Sequence, residues 1–438
     1  MIRERQAAVE ELRPRLDLRE DLAALGDAVR AGLHADALRR WGEAPALLRS
    51  GGWRWAAAGL PTVSVVSLAA WVSGLSGPAF FELALVVQAL FALLLRSRVM
   101  RVVRAADLPA RDLALLAELL ARIEAERFEA PALLRLRAAL DTEGVPPSRR
   151  TADLRLRIDL LDARRNQLFV PIGALLLWTT QLAFAIERWR AACGPALARW
   201  IAALGEIEAL AALAAVAYEN PDHTFPEIEA EGDVFEAEAL GHPLLPASCC
   251  VRNDLCLGEG LRVLVVSGSN MSGKSTLLRT VGTNAVLALA GAPVRARRMR
   301  IGPLVLGASI CLQDSLLEGR SRFYAEIGRL RSLVELAEGR QTLLFLIDEI
   351  LHGTNSHDRG VGAEAIIRGL VERGALGLVT THDLALAKVA DALAPRAANV
   401  HFEDHLEDGE IAFDYRMRPG VVEKSNALEL MRSVGLDV

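Results

Sequence analysis

One nonapeptide constrains the fold of this chain more than any other feature, and its sequence is Gly268-Ser269-Asn270-Met271-Ser272-Gly273-Lys274-Ser275-Thr276. The apolar run Leu261 to Val266 before it is typical of a buried strand, and the apolar-periodic segment from Leu277 onward is typical of a helix. A glycine, four further residues and then Gly-Lys-Ser, placed between a strand and a helix, is the pattern of a phosphate-binding loop. The sequence therefore predicts an α/β P-loop NTPase domain.

The residue types in this loop suit a triphosphate with its metal. Glycines let successive backbone N–H groups face an anion, and the start of the following helix adds positive potential. We expect Lys274 to reach the β- and γ-phosphates and the Ser275 hydroxyl to ligate Mg²⁺. Of the 50 basic residues only Lys274, Lys388 and Lys424 are lysines, and a phosphate loop needs a compact ammonium rather than a planar guanidinium. A nucleoside triphosphate with Mg²⁺ is the expected ligand.

Acidic residues follow a second apolar run, Leu343 to Ile347, as Asp348 and Glu349. In P-loop NTPases the first acid at such a strand end holds Mg²⁺, and the second is suited to be the general base for the attacking water. The alternative is a buried strand that ends in solvated acids. A third run, Leu376 to Thr380, leads to His382, which can contact the γ-phosphate or the water, although a single histidine is more often structural.

Four segments resemble the MutS mismatch-repair ATPases, and they are the loop Gly268 to Thr276, Gly319-Arg-Ser321-Arg-Phe323-Tyr-Ala-Glu326, Leu346-Ile-Asp-Glu-Ile-Leu-His-Gly-Thr-Asn355 and Thr380-Thr-His382. The resemblance runs from about Phe235 to the carboxy terminus, and the segment Ile2 to Leu12 is similar to the one that opens the MutS core domain. The chain departs from the family at Ser269 and Ser272, where proline and glycine are usual, and at Arg322, where threonine is usual.

The resemblance implies an ABC-type ATPase with two ATP sites completed across a homodimer. Ser321 would then approach the γ-phosphate of the opposite subunit, and its alternative role is a helix N-cap. Gln313 and Asp314 would couple the nucleotide state to helical arms, and Asn355 and His357 would line the subunit interface. Nothing in the sequence resembles the mismatch-reading amino-terminal domain of the family, so we expect either a shortened gene product or a subset that dispensed with base reading.

Two adjacent apolar windows form the second informative feature. Trp55 to Ser73 contains no charge, and Pro78 to Leu95 is apolar apart from Glu82 and Gln88. Each is about long enough to cross a bilayer core. Basic residues flank the pair, at Arg49, Arg54, Arg96, Arg98, Arg101 and Arg104, and tryptophans lie near the ends, at Trp53, Trp55 and Trp71. This pattern predicts a transmembrane helical hairpin over residues 53–95 with both ends in the cytoplasm; the alternative is two buried helices.

A subset of MutS-related ATPases carries such spans, so the resemblance agrees with an inner, cytoplasmic membrane location and an ATPase domain in the cytoplasm. A third apolar run, Leu168 to Ile186, would place the nucleotide site on the wrong side if it also crossed. We therefore interpret Leu168 to about Val216 as long helices of a lever, packed in the protein or lying at the membrane interface.

These patterns divide the chain into five parts: an amino-terminal helical segment (1–52), the hairpin (53–95), a mostly α-helical core or lever broken at Gly144-Val-Pro-Pro147 (96–219), a linker (220–234) and the ATPase domain (235–438). The cysteines, Cys193, Cys249, Cys250, Cys256 and Cys311, have no pairwise spacing typical of zinc or disulfide sites and are expected to be small, reduced core residues.

Two hypotheses about function follow. The first is a MutS-like ATPase associated with DNA in mismatch repair or recombination, and the second is a membrane-anchored mechanochemical ATPase that moves a protein or lipid partner without DNA. The net charge of −5 offers no overall basic field for DNA. One local cluster, formed by four arginines, is a candidate for contact with DNA phosphates; its members are Arg295, Arg297, Arg298 and Arg300. The alternative is a solvated face, which is what such a cluster usually forms.

Overall fold

The computed structural model describes residues 1–32, 34–48, 51–107, 109–141, 144–163, 166–310, 322–351, 355–382, 386–407 and 410–422. The chain divides into two compact units. One is a helical unit of residues Glu10–Ala215, and the other is an α/β unit of Met1–Val9 with Val216–Val438.

The helical unit consists of the end of α1 and the helices that follow it. Their bounds are α1 (Ile2–Leu12), α2 (Leu16–Gly32), α3 (Ala35–Glu43), α4 (Gly52–Val72), α5 (Ala79–Asp107), α6 (Pro109–Glu124), α7 (Pro131–Leu140), α8 (Pro147–Asp162), α9 (Val170–Leu175) and α10 (Trp178–Glu219). Helices α6, α7 and α8 each begin with a proline. The backbone N–H groups of the first helical turn have no acceptor within the helix, so a proline there costs no hydrogen bond. The predicted helix break at residues 144–147 is confirmed.

Apolar side chains at helical spacing build the core of this unit. Leu113, Leu116 and Leu120 of α6 are fully buried, and Leu154 and Leu161 of α8 are buried as well. The two helices pack against each other. This is the pattern expected when each helix presents one apolar stripe to its neighbour.

Helices α4 and α5 form the predicted helical hairpin, but α5 continues past Leu95 to Asp107. Aromatic pairs join the two helices near both ends, with ring centroids 6.0 Å apart for Trp71 and Phe81 and for Trp53 and Phe91. Midway, the Ser64 hydroxyl donates to the Gln88 side-chain carbonyl at 2.8 Å, and both residues are buried.

Among the described residues, three helices are long and apolar enough to cross a membrane by length and composition: α4, α5 over Ala79–Ala106, and α10. Only 17% of the most apolar window of α4 and of α5 is buried inside the protein, against 44% for α10. The third apolar run, which we interpreted as long helices from Leu168, forms the short α9 and then α10, and the chain breaks between them, where Leu177 has φ 48°. Membrane crossing stays a prediction.

The α/β unit is built on a six-stranded sheet in the order β10-β9-β4-β8-β7-β6, within the described residues. Its strands are β4 (Val263–Ser267), β6 (Val305–Ser309), β7 (Leu343–Ile347), β8 (Leu376–Thr381), β9 (Ala397–Glu407) and β10 (Glu410–Pro419). Neighbours are parallel except at the edge, where β10 runs antiparallel to β9. The strands predicted at 261–266, 343–347 and 376–380 are confirmed.

Helices cover both faces of this sheet: α11 (Lys274–Ala290), α12 (Arg322–Ala337), α13 (Ser356–Glu372) and α14 (Ala387–Ala392). Alternate residues of β4 face opposite cores. Leu264 and Val266 pack in the same core as α11, and Val263 and Val265 pack in the core of the other three helices. Because β4 is buried on both faces, its apolar side chains form a continuous run.

A second sheet has four strands in the order β1-β5-β2-β3, within the described residues. Its strands are β1 (Glu227–Ile228), β2 (Phe235–Leu240), β3 (Asn253–Leu257) and β5 (Arg298–Ile301). The arginine cluster that was a candidate for DNA contact lies at this sheet. The three exposed or half-exposed arginines are all paired across strands, Arg297 with Glu238, Arg298 with Glu227, and Arg300 with Glu229 and Glu236. The cluster is therefore a neutralised face.

Two further expectations need correction. Arg295 is not part of a solvated face, because it is buried and donates to the carbonyl oxygens of His242 and Leu245. The cysteines are not all core residues: Cys193 is buried, but Cys249 and Cys256 are exposed. Leu255 and Leu257 of β3 face the core, so Cys256 between them faces the surface, beside Glu236. Cys311 lies outside the described residues.

A close helix crossing gives a stability prediction. A Cβ at Gly42 would lie 2.8 Å from Leu197 Cδ1, and a Cβ at Gly194 would collide with the Gly42 carbonyl oxygen. We expect Gly194→Ala to lower the free energy of unfolding by about 1–3 kcal/mol through overpacking. The matched control lies in the same helix, since a Cβ at Gly205 meets nothing within 4 Å. Gly205→Ala should instead stabilise by roughly 0.5–1 kcal/mol, measured by thermal unfolding followed by circular dichroism.

Candidate functional site

The phosphate loop lies at the carboxyl end of β4, between that strand and α11. β4 pairs with β8 on one side and with β9 on the other. Ligand sites of parallel sheets lie at this end of the strands, where loops from neighbouring strands converge. The fold therefore brings the loop to the same edge as the ends of β7 and β8.

Two glycines shape the loop. Gly268 has φ 149° and Gly273 has φ 105°, a region that other residues rarely adopt. A Cβ at Gly268 would lie 2.8 Å from Ser272 Oγ and 3.0 Å from the Phe402 carbonyl oxygen. A Cβ at Gly273 would lie 3.1 Å from Cδ1 of Tyr415. Both positions therefore require glycine for conformation and for space.

Lys274 begins α11 and turns its ammonium back over the loop. Its side chain is 5% exposed, and Nζ donates to the carbonyl oxygens of Gly268 at 2.9 Å and Ser269 at 2.6 Å. Burial lowers the Lys274 pKa below its ordinary value, and the charges of Glu349 and Asp348 act in the opposite direction. The acids therefore lie close enough to stabilise the ammonium.

The rest of the predicted loop surrounds this ammonium. Ser275 is half-buried in the first turn of α11, whereas Asn270, Met271 and Thr276 are exposed. The Ser269 and Ser272 hydroxyls are buried and have no hydrogen-bond partner among the described residues. Buried hydroxyl donors, a helix start and a buried ammonium are what phosphate oxygens need. The residues present therefore fit a nucleoside triphosphate.

The two acids follow β7, and a threonine on the neighbouring strand β8 holds them. The Thr380 hydroxyl donates to Asp348 Oδ1 at 2.6 Å and accepts the backbone N–H of Glu349 at 2.9 Å. Thr380 is fully buried. Sequence reasoning missed this role, although a threonine at the end of the strand before His382 was a signal.

The backbone beyond the acids is strained and held in place. Glu349 has φ 52° and Leu351 has φ 54°, a conformation that costs roughly 1–3 kcal/mol for such residues and is common at functional sites. The buried Glu326 carboxylate, on α12, accepts the Leu351 N–H at 2.5 Å. Helix α12 is therefore tied directly to the segment that carries the catalytic candidates.

His382 lies beside Glu349, and its predicted contact with the γ-phosphate or the water stays a prediction. Its Nδ1 is 3.9 Å from Glu349 Oε1, and its Nε2 is 3.5 Å from Nη1 of Arg359. The imidazole is thus positioned between a carboxylate and a guanidinium, both of which can orient it.

The predicted coupling and interface residues are only partly described. Asn355 is the N-cap of α13: its side-chain oxygen accepts the Asp358 N–H at 2.9 Å, and its amide donates to the Asp358 carboxylate at 2.7 Å. His357 lies on α13, and its side chain is outside the described residues. Gln313, Asp314 and Ser321 also lie outside the described residues, so their predicted roles stay predictions.

Tyr415 is a site residue that the sequence did not indicate. The pairing of β10 with β9 is interrupted between Phe413 and Met417, and Asn253 fixes this bulge by donating to the Tyr415 carbonyl at 3.0 Å and accepting the Met417 N–H at 2.7 Å. The bulge places the half-exposed Tyr415 ring against Gly273 of the loop.

Replacing Thr380 tests how the acids are held. Thr380→Val keeps the shape but removes the hydroxyl, so the Glu349 N–H and a carboxylate oxygen lose a buried partner. We expect the free energy of unfolding to fall by about 1–3 kcal/mol in urea denaturation, and hydrogen exchange at the Glu349 amide to accelerate. Thr380→Ser retains the hydroxyl and should leave that exchange rate close to the parent's; equal exchange in all three proteins would contradict the assignment.

Comparison with known proteins agrees with this site. The family model described as MutS domain V matches residues 264–437. The chain is 36% identical over 242 residues to "DNA mismatch repair protein MutS 2" of Halobacterium salinarum, which covers 53% of this chain and 27% of the relative. It is 33% identical over 213 residues to "Endonuclease MutS2" of Thermus thermophilus, which covers 47% and 27%, respectively.

A third relative, "DNA mismatch repair protein MutS" of Natronomonas pharaonis, is 34% identical over 243 residues, with 53% of this chain and 27% of the relative covered. The chain thus spans about a quarter of the length of these curated relatives. The mixed α/β architecture and the phosphate loop agree with the matched domain. Residues 264–437 of this chain are therefore similar to MutS domain V, and the relatives that it matches are named as MutS proteins.

Proposed function

We propose that this protein is a MutS-like ATPase that binds ATP with Mg²⁺ at the loop Gly268–Thr276 and hydrolyses it. One observation carries the proposal: the buried Lys274 ammonium and the acids Asp348 and Glu349 meet at one edge of the sheet, where Thr380 fixes both acids. The MutS domain V match to residues 264–437 supports it.

The loop provides binding. Its backbone N–H groups and the start of α11 face the phosphates, and Lys274 exchanges its contacts with the Gly268 and Ser269 carbonyls for contacts with the β- and γ-phosphates. Ser275 and Asp348 would hold Mg²⁺, directly or through water. The bound metal supplies charge neutralisation on the phosphate oxygens as the terminal bond breaks.

Glu349 provides the general base. Its carboxylate accepts a proton from the attacking water, while Lys274 compensates the negative charge that develops on the γ-phosphate. The left-handed backbone at Glu349 and its N–H bond to Thr380 restrict where the carboxylate can point. His382, 3.9 Å from Glu349, orients that carboxylate and senses the γ-phosphate. The exposed face of the Tyr415 ring, beside Gly273, offers a surface on which the adenine ring of ATP can stack.

The assembly proposed with this chemistry is a homodimer. ABC-type sites are completed across two subunits, with Ser321 of one subunit at the γ-phosphate bound by the other. Gln313, Asp314, Asn355 and His357 then transmit the nucleotide state to the subunit interface and the helices. The Glu326–Leu351 contact supports such coupling, because it joins α12, the helix that follows Ser321, to the acid-bearing segment.

A nucleotide-binding measurement tests the core of the proposal. Removing the loop ammonium by Lys274→Ala should weaken Mg·ATP binding by at least about tenfold in calorimetry, because a charge-assisted contact of roughly 1.5–3 kcal/mol is lost. Lys388→Ala is the matched control, since it removes another of the three lysines from an exposed position on α14. Equal affinity of the two variants would reject the site.

A turnover measurement tests the general base. Glu349→Gln should retain Mg·ATP binding, because the loop and Lys274 are unchanged, and should lower the hydrolysis rate by roughly 10²–10⁴-fold. Asp358→Asn, a carboxylate change at the start of α13, is the control and should keep most of the parent rate. If Glu349→Gln hydrolyses ATP at the parent rate, another residue activates the water.

What the ATPase acts on has two candidates. DNA is supported by the relatives, two of which are named as DNA mismatch repair proteins. A protein or lipid partner at the cytoplasmic membrane, with the ATPase domain in the cytoplasm, is supported by the exposed apolar surfaces of α4 and α5. The paired arginines of the four-stranded sheet favour the second candidate, because they have no uncompensated charge to offer phosphates.

Filter binding with homoduplex, mismatched and branched DNA separates the candidates. A protein that acts on DNA should bind it with an affinity that changes when ATP is added. The logarithm of its association constant should fall linearly with the logarithm of the salt concentration. A quadruple variant of Arg295, Arg297, Arg298 and Arg300 would be a poor test of DNA contact, because these arginines have structural partners within the protein. The DNA affinity of the parent is therefore compared with that of Glu349→Gln, which is expected to stay in the ATP-bound state. Absence of any ATP-responsive, salt-dependent binding would remove DNA as the substrate.

A further inference from the structure

The segment between α8 and α10 forms an apolar tip, which we define as residues 166–177. Its large side chains face outward: Leu168 is 85% exposed, Val170 54% and Ile172 51%. Phe169 packs edge-on against Trp178, with ring centroids 5.4 Å apart, at the base of the tip. So many exposed apolar side chains on a short segment mark a surface that contacts something apolar.

Helix α8, which lies beside the start of α10, is polar and cannot follow the tip into an apolar medium. α8 runs antiparallel to the start of α10, since the Trp178, Arg157 and Trp189 side chains donate to the carbonyls of Leu160, Ala185 and Arg150. The exposed surface of α8 carries ion pairs, Arg157 with Asp153 and Arg155 with Asp159. A crossing of the membrane by α10 would draw these charges of α8 into hydrocarbon, whereas residues 166–177 of the tip carry no charge.

Gln88 attaches the tip to the hairpin of α4 and α5. Its amide nitrogen donates to the carbonyls of Ala174 and Leu175 at 2.8 and 2.9 Å, which caps the end of α9, and its oxygen accepts from Ser64 of α4. Every strong polar group in this contact has a partner inside the protein. That is the condition for placing polar groups within a bilayer, where water cannot satisfy them.

Charge and distance define how deep the tip lies. α5 bears exposed arginines just beyond its apolar part, at positions 96, 98, 101 and 104, and such a row favours the level of anionic lipid headgroups. Gln88 lies about two turns nearer the hairpin's outer end, or roughly 12 Å further along the helix. The tip, bonded to Gln88, is therefore at the depth of acyl chains when the arginines are at the headgroups.

A groove of about 900 Å³ separates α5 from the tip, and it is lined mainly by apolar side chains, including Leu85, Leu93, Val170 and Trp178. Arg96 lies in its wall as well. An apolar groove of this volume with a cation in its wall has room for an acyl chain and a charge that suits an anionic headgroup.

We propose that the tip is embedded in one leaflet of an anionic phospholipid bilayer beside α4 and α5, so that three elements form the anchor. The proposal rests on the membrane attachment proposed above. The proposal extends that membrane attachment, because the tip enters and leaves the bilayer on the same side of the membrane. α10 then stays in water and the nucleotide domain stays in the cytoplasm.

Depth-dependent quenching tests this in the full chain. Native cysteines are replaced by alanine, and one cysteine is introduced at Ile172 in the tip, at Leu90 on α5 or at Leu156 on α8, positions 51%, 62% and 58% exposed. Each carries an environment-sensitive dye. The proteins are reconstituted in vesicles of equimolar phosphatidylcholine and phosphatidylglycerol, with a spin label on the acyl chains. We expect the dyes at 172 and 90 to lose most of their emission and the dye at 156 to lose none.

The outcomes separate the two proposals. Quenching at 90 without quenching at 172 would overturn the tip assignment and leave the hairpin in the bilayer. Absence of quenching at both positions would overturn the hairpin, and the tip with it. Quenching at 156 as strongly as at 172 would place α8 in lipid and also overturn the assignment. Val170→Cys serves as a second tip variant, and circular dichroism confirms that each labelled protein is folded.

Discussion

The hydroxyl of Thr380 is the contact on which the catalytic half of the site depends. It joins β8 to the end of β7 by binding the side chain of one acid and the backbone of the next. The same short stretch bends through left-handed conformations at Glu349 and Leu351, which persist only where surrounding contacts determine them. Thr380 and Glu326 supply those contacts from two different elements. The position of the acids is thus a property of the assembled sheet rather than of the motif that carries them.

Electrostatic balance links this half to the phosphate loop. A buried ammonium loses hydration, and the lowered pKa of Lys274 reflects that loss. Its partners are two carbonyl oxygens of the loop and, at longer range, the two carboxylates. The two acids therefore favour the charged form of Lys274 before any ligand is considered. This dependence explains why both belong to one edge of the sheet, with β8 between the strands that bear them.

The parts of the site that are local in sequence could be predicted, and those that depend on strand order could not. The loop, its flanking strand and helix, and the acids after an apolar run all follow from contiguous residues. Thr380 and Tyr415 gain their roles because β8 lies between β4 and β7 and because a bulge in β10 reaches Gly273. The arginines at 297, 298 and 300 pair with acids that are distant in sequence, so the sequence did not indicate that their charges are compensated. The apolar run from Leu168 gave no sign of the break between α9 and α10, where Leu177 has φ 48°.

The hydrogen bonds of Gln88 have a consequence for biogenesis. Ser64 and Gln88 are synthesised together on the hairpin, but Ala174 and Leu175 emerge from the ribosome only after three more helices. A hairpin inserted during translation would hold an amide group in hydrocarbon with half of its hydrogen-bonding capacity unused until the later segment arrives. In the membrane-attached protein proposed above, folding of the later helices would then complete this contact, and the order of chain synthesis would be part of how the helical unit matures.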